Sequence, residues 1–151
     1  LTVSYTSSSG AKASLDVPVS VTTPFPLKSS LFNPSIWEQG TFDEQTRTLV
    51  TGQYGFGGWQ YAEGLDLSAY QRIIVELGND NLSQVSFRLF DKNNYWSDPA
   101  MYDFGSSRKV VVDLQNMKDS KGNVISSEHL YIVGFWSLGF KPIVIENITI
   151  E

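Results

Sequence analysis

The sequence predicts an all-β protein built as an antiparallel β-sandwich, and three observations carry that prediction. Short runs of alternating apolar and polar residues recur along the chain with turn residues between them. No stretch sustains the helical period for the length of an ordinary helix. The 151 residues are enough for one sandwich with its own core and too few for two domains of usual size.

The first 21 residues contain two alternating runs, Thr2 to Thr6 and Ala13 to Val21, joined by Ser7-Ser8-Ser9-Gly10. Alternation on both sides of a Ser/Gly turn predicts a β-hairpin, with Pro18 at an edge position because proline cannot donate to a ladder. A hairpin alone is marginal in water. Thr22-Thr23-Pro24-Phe25-Pro26 reads as a stiff extended linker, so the chain divides into a hairpin and linker, residues 1–24, and a sandwich, residues 25–151. The hairpin then reads as the last two strands of a preceding Ig-like domain; the alternative is that it docks on the sandwich.

Beyond Leu31 the predicted strands are Ile36 to Trp37, Thr41 to Phe42, Thr48 to Thr51, Gly58 to Tyr61, Arg72 to Leu77, Gln84 to Phe90, Lys109 to Leu114, Tyr131 to Ser137 and Ile143 to Ile150. Leu65 to Tyr70 reads as one helical turn leading into a strand, and Gln115 to Glu128 as a polar connection. Successive strand residues face opposite ways, which assigns Ile73, Val75 and Leu77, then Val85, Phe87 and Leu89, then Val110, Val112 and Leu114 to the core. Glu76 and Arg88 fall on the outer faces, and together on one mixed binding face if their strands share a sheet. Both parities of Tyr131 to Trp136 are apolar; Val133 and Phe135 are assigned inward and Trp136 outward.

Composition narrows the partners. Four Trp and seven Tyr against only 18% charged residues describe a surface suited to stacking and hydrogen bonding. A net charge of -5 argues against a nucleic-acid or anionic-membrane partner, since the clustered Lys/Arg excess that phosphate binding needs is absent from the sequence. Without cysteine there is no disulfide framework, thiolate nucleophile or zinc-thiolate site. No apolar run reaches membrane-spanning length, so no membrane insertion is expected. Leu1 in place of an initiator Met reads as the start of a mature or excised piece of a longer protein. His129, the sole histidine, has no nucleophile elbow to serve; Gly55-Phe56-Gly57-Gly58 lacks the Lys of a phosphate loop; and no carboxylate pair can be nominated for glycoside hydrolysis. The chain therefore reads as non-enzymatic.

Gly52-Gln53-Tyr54-Gly55-Phe56-Gly57-Gly58-Trp59-Gln60-Tyr61 places four glycines and four aromatic rings in ten uncharged positions. Glycine removes side chains and aromatics supply flat faces, so the stretch reads as exposed rings on closely approaching backbone. Sugar rings pack C–H patches on such faces and need planar or charged partners for their hydroxyls. Trp59-Gln60-Tyr61, Asn94-Tyr95-Trp96 in its polar loop, and Trp136 supply that chemistry, with Glu76 and Arg88 as hydrogen-bonding candidates. Each Trp has a second reading as a core ring, and Glu76 with Arg88 a second reading as a cross-strand ion pair. Trp37, Phe42, Tyr54 and Phe56 are assigned to the core or to packing beneath the glycine-rich loop.

Gly57-Gly58-Trp59, Leu65 to Tyr70, Val85 to Asp91, Asn94 to Ser97, Val110 to Leu114, Val133 to Trp136 and the closing Ile143 to Ile148, in that order and spacing, resemble carbohydrate-binding modules with the galactose-binding-like jelly-roll sandwich. Such modules accompany glycoside hydrolases and surface glycan-binding proteins of polysaccharide-degrading bacteria, especially Bacteroidetes. The resemblance covers roughly Leu31 to Glu151. It implies extracellular or cell-surface binding of β-linked plant polysaccharide, covalently linked catalytic or Ig-like domains, no required cofactor, and in many relatives a structural Ca²⁺, for which Asp43, Glu44 and Glu146 are the carboxylates to consider. It makes Trp59, Tyr61, Tyr95, Trp96 and Trp136 stacking platforms and Gln60, Glu76 and Arg88 hydrogen-bonders. The alternative function is a structural or protein-interaction sandwich of a multidomain surface protein.

Overall fold

The alternating runs emerge as strands in the computed structural model, which describes residues 2–16, 21–36, 39–78, 84–92, 98–138 and 142–151. In chain order these are β1 (Thr2–Thr6), β2 (Lys12–Asp16), β3 (Thr23–Pro24), β4 (Thr41–Asp43), β5 (Thr48–Val50), β6 (Phe56–Leu65), β7 (Arg72–Leu77), β8 (Val85–Asp91), β9 (Ala100–Asp103), β10 (Lys109–Asp113), β11 (Leu130–Ser137) and β12 (Ile143–Ile150). Among the described residues one 3-10 turn, Ser29–Leu31, interrupts this order.

Two antiparallel sheets enclose the core. One runs β10-β7-β12-β5-β4, with β3 also paired to β12, and the other runs β6-β11-β8-β9. From the first, Ile73, Val75, Leu77, Val110, Val112, Ile145, Ile148 and Ile150 point inward; from the second, Trp59, Val85, Phe87, Leu89, Val133 and Phe135 meet them. The inward and outward assignments of β7, β8, β10 and β11 therefore hold, and the protein is an antiparallel β-sandwich. Each of these large aliphatic or aromatic side chains contributes about 1.5–3 kcal/mol on burial, which is what fixes the strand parity.

Several elements differ from the sequence expectation. The linker is part of the sandwich from Thr23, because Thr23 and Pro24 pair with Ile150 and Thr149, the Phe25 N–H donates to the Ile148 carbonyl at 2.8 Å, and Phe25 is only 4% exposed. Pro24 is tolerated there as an edge residue. Ile36 lies in a turn rather than a strand and is buried, while Trp37 lies outside the described residues. Leu65 ends β6, and the chain turns at Ser68 and Ala69 without a helix. β9 is unanticipated, since Ala and Met are poor strand signals and the element has four residues. The connection from Gln115 to Glu128 is polar outside but drives Met117 and Ile125 into the core.

The N-terminal hairpin forms over β1 and β2, with Thr2 opposite Asp16, Thr6 opposite Lys12 and Gly10 in the left-handed region at φ +84°; the rest of the second run, 17–20 with the Pro18 edge position, lies outside the described residues. Its residues are exposed along both strands, and Val3, Tyr5 and Leu15 share one face of the ribbon.

Candidate functional site

The outer face of β6-β11-β8-β9 carries the residues that the register brings together. Gln60, Ile132 and Phe90 form one row across β6, β11 and β8; Gly58, Gly134, Arg88 and Met101 form the next, extended to β9; Phe56, Trp136, Ser86 and Asp103 form the third. The two glycines leave a flat depression into which the Phe56 ring lies, since a Cβ on Gly58 would stand 3.1 Å from Phe56 Cε1. Phe90 meets that ring edge-on at 5.5 Å between centroids, and Ile132 and Ile36 complete a second, smaller core with Tyr131 and Trp136 packed at its margin. The middle of this face is thus filled by the protein's own side chains.

Trp136 stands where that filling ends. Its Nε1–H donates to the Tyr54 carbonyl at 3.2 Å, and the Arg88 guanidinium carbon lies 5.1 Å from its ring centre. Gly55, at φ +81°, makes the first contact possible, because a Cβ there would meet Trp136 Nε1 and the Ser137 carbonyl, each at 2.8 Å. Arg88 is half-buried and its side chain donates from Nε to Ser86 Oγ at 3.0 Å, the single side-chain hydrogen bond it makes among the described residues. Burial works against its charge and lowers its pKa, and the Asp103 carboxylate partly offsets that loss. The indole is therefore held from two sides and still partly exposed.

Beside Trp136 opens a groove of about 560 Å³ lined by Gln84, Val85, Asp103, Gly105, Trp136 and Leu138. Tyr54 and Leu138 are 63% and 57% exposed at this end of the sheet. An aromatic face, an apolar rim, a carboxylate and an amide meet here, which is the combination a sugar ring requires. A depression near Gln60 borders Asn33 and Pro34 and has no carboxylate, and one beside Glu76, Arg108 and Lys109 has no aromatic ring. Another, between Tyr70 and Asn116 on the opposite sheet, brings a ring, the Asp113 carboxylate and amides together but is mainly polar, without the apolar rim.

The nine residues singled out in the sequence separate into distinct places. Trp136 faces outward as expected and Arg88 lies against it. Trp59 is not a stacking platform: it is fully buried among Phe32, Phe42 and Phe135, edge-on to all three. Tyr61 points to the core side and packs edge-on to Phe25 at 6.4 Å. Gln60 faces outward, but its amide is engaged at both ends, accepting from Asn33 Nδ2 and donating to Tyr131 Oη. Glu76 does not share a face with Arg88, since β7 and β8 belong to different sheets, and it pairs instead with Lys109 at 3.0 Å. Asn94, Tyr95 and Trp96 lie outside the described residues. Tyr54, assigned to the core, is exposed, whereas Phe42 and Phe56 pack as assigned. Gln84 and Asp103 enter the site without having been nominated.

The three carboxylates considered for calcium do not converge. Asp43 accepts from the N–H groups of Gln45 and Thr46, which holds its pKa below the usual carboxylate value, and Glu44 accepts from the Ser29 N–H with the same effect. Glu146 is exposed at the irregularity in β12. Among the described residues no group of three or more His, Asp or Glu is placed to hold a metal ion. Likewise, no described helix is long and apolar enough to cross a membrane.

Comparison of the chain with protein-family models, with curated proteins and with solved structures gives no match.

Proposed function

We propose that this chain is a non-catalytic carbohydrate-binding module of the galactose-binding-like jelly-roll type. Its ligand is a β-linked plant polysaccharide, a β-glucan, xyloglucan or related hemicellulose. It acts outside the cell or at its surface, by holding an associated glycoside hydrolase or uptake system near that polymer. Linkage to a catalytic partner turns weak binding into a high local concentration of enzyme at its substrate. The observation that carries this reading is Trp136: a partly exposed indole, braced by Arg88 and the Tyr54 carbonyl, that walls a groove containing Asp103 and Gln84. A braced ring loses little freedom when a sugar stacks on it.

The second reading, a structural or protein-interaction sandwich, is favoured by one feature, the exposed apolar stripe of Val3, Tyr5 and Leu15 on the hairpin.

Affinity gel electrophoresis separates the two. The protein is run through soluble β-glucan, xyloglucan, xylan and glucomannan, with Trp136→Ala and Asp103→Ala beside it. The expected result is retardation by one class, weakened in both variants, with the melting temperature of Asp103→Ala unchanged because that side chain is exposed. Free migration through every polymer moves the assignment to the interaction reading.

A further inference from the structure

The groove contains a backbone outlier. Gln84 has φ +64°, in the left-handed region where glycine and asparagine are the ordinary occupants and a long side chain is strained. Local folding alone would be better served by glycine. Among the described residues nothing in the packing calls for the amide either: Gln84 is exposed, its side chain makes no hydrogen bond there, and its carbonyl accepts a 3.3 Å bond from the Leu138 N–H. Strain that local folding does not require, at a residue lining a groove, is where a functional contact is to be sought.

Register fixes what stands near it. Gln84 immediately precedes Val85, which pairs with Ser137, and Ser86 pairs with Asp103 on β9 and with Trp136 on β11. The amide, the carboxylate and the indole therefore border one space. Their chemistries are complementary. The amide offers both a donor and an acceptor, the carboxylate only acceptors, and the indole an apolar face.

We infer that Gln84 is a ligand-contacting, specificity-determining residue, and that with Asp103 it reads two adjacent hydroxyls of a neutral pyranose stacked on Trp136. This rests on the proposed function and deepens it. Each sugar hydroxyl is both donor and acceptor, so one donates to Asp103 while its neighbour exchanges hydrogen bonds with the Gln84 amide. Asp103 lines the groove and disfavours a sugar carboxylate beside it, because like charges repel at short range, whereas the Arg88 charge lies against the ring outside the groove lining and is partly offset by Asp103. The geometry thus points to neutral rather than uronic-acid glycans, in keeping with a chain of net charge -5.

The test is Gln84→Gly. Glycine removes the amide and relieves the backbone, so binding and stability are expected to move in opposite directions. Affinity electrophoresis on the retained neutral polysaccharide and on polygalacturonate is paired with thermal melts. The expected result is retardation of the parent protein by the neutral polymer alone, binding about tenfold weaker in Gln84→Gly, and a melting temperature equal or higher. If the parent protein is retarded and Gln84→Gly is retarded equally, the inference fails while the proposed function stands. A lowered melting temperature together with weaker binding makes Gln84 structural and overturns the inference, and equal retention by polygalacturonate overturns the ligand class. No retardation of the parent protein by any polymer overturns the proposed function and this inference with it.

Discussion

A Cβ placed on Gly134 would stand 2.6 Å from Phe56 Cζ and 2.6 Å from the Gly57 carbonyl oxygen. The two strands β6 and β11 approach so that the fully buried Phe56 ring lies over Gly134. Gly134→Ala is expected to cost about 3 kcal/mol, the upper end for overpacking, because one of its two closest contacts is backbone. Gly10→Ala has open space around it and bears only the cost of its positive φ, about 1–2 kcal/mol. Urea denaturation of both variants checks the order; a Gly134→Ala protein as stable as the parent would mean that Phe56 can leave its seat.

Arg88 and Trp136 form the other close pair on that face, 5.1 Å from guanidinium carbon to ring centre. Arg88→Lys keeps the charge but loses the planar fork that reaches Ser86 Oγ and lies against the ring, so it is not a mild change here. A double-mutant cycle between Arg88→Lys and Trp136→Phe is expected to give a coupling of about 0.5–1 kcal/mol. Quenched or shifted tryptophan fluorescence in Arg88→Lys provides the spectroscopic readout. Zero coupling would mean that the ring is held by the Tyr54 carbonyl alone.

How far the site was legible depends on which physical signal a residue leaves in the chain. Ile73, Val75 and Leu77 are separated from Arg72 and Glu76 by a period of two, and a sheet with one buried face makes that period unambiguous. The glycine-aromatic stretch reports close backbone approach correctly but does not say what approaches. In the structure it is Phe56, from the same strand, that fills the space, and Trp59 is carried inward by the alternation. Glu76 and Arg88 read as neighbours because β7 and β8 are consecutive, yet the chain crosses from one sheet to the other between them. That crossing is decided by long-range pairing, Ile74 with Val111 and Thr149, which no local pattern contains. Gln84 leaves no signal at all, since nothing in the sequence marks a glutamine whose backbone is left-handed.

Tyr61 is a ring whose polar end has no partner among the described residues. Its hydroxyl is buried without a hydrogen bond among the described residues, and burial pushes its pKa from 10.0 up to about 12. Tyr61→Phe is therefore expected to be neutral or stabilising by up to about 1 kcal/mol at neutral pH. The alkaline limb follows from the same burial. The folded state keeps its proton where the unfolded chain has lost it, so the contribution is full below about pH 10 and is lost as pH rises toward about 12. Thermal melts across that window should fall more steeply for the parent protein than for Tyr61→Phe. Parallel curves would show that Tyr61 ionises freely in the folded state.

Asp119 organises the connection between β10 and β11 from its centre. Its carboxylate accepts from Asn123 Nδ2 and from the N–H groups of Asn123 and Lys121, each at 2.8 Å, and the side chains of Met117 and Ile125 that flank the loop are buried in the core. The Asn123 side chain, then the backbone donors and the Lys121 charge, hold its pKa below the usual carboxylate value. A lowered folded-state pKa means that its stabilisation is present above the unfolded pKa of about 3.9 and is lost as pH falls through the folded value. Asp119→Ala should therefore lower the melting temperature at neutral pH, flatten the acid limb below about pH 4, and speed amide exchange at Lys121 and Asn123. Lys121→Ala is the control. It breaks the 2.5 Å pair with Asp98 and removes the smallest of the contributions that lower the Asp119 pKa, but leaves the Lys121 N–H in place, and its side chain is 67% exposed, so little stability is at stake. If both variants behave alike, the loop is held by the surface ion pair and not by the Asp119 carboxylate.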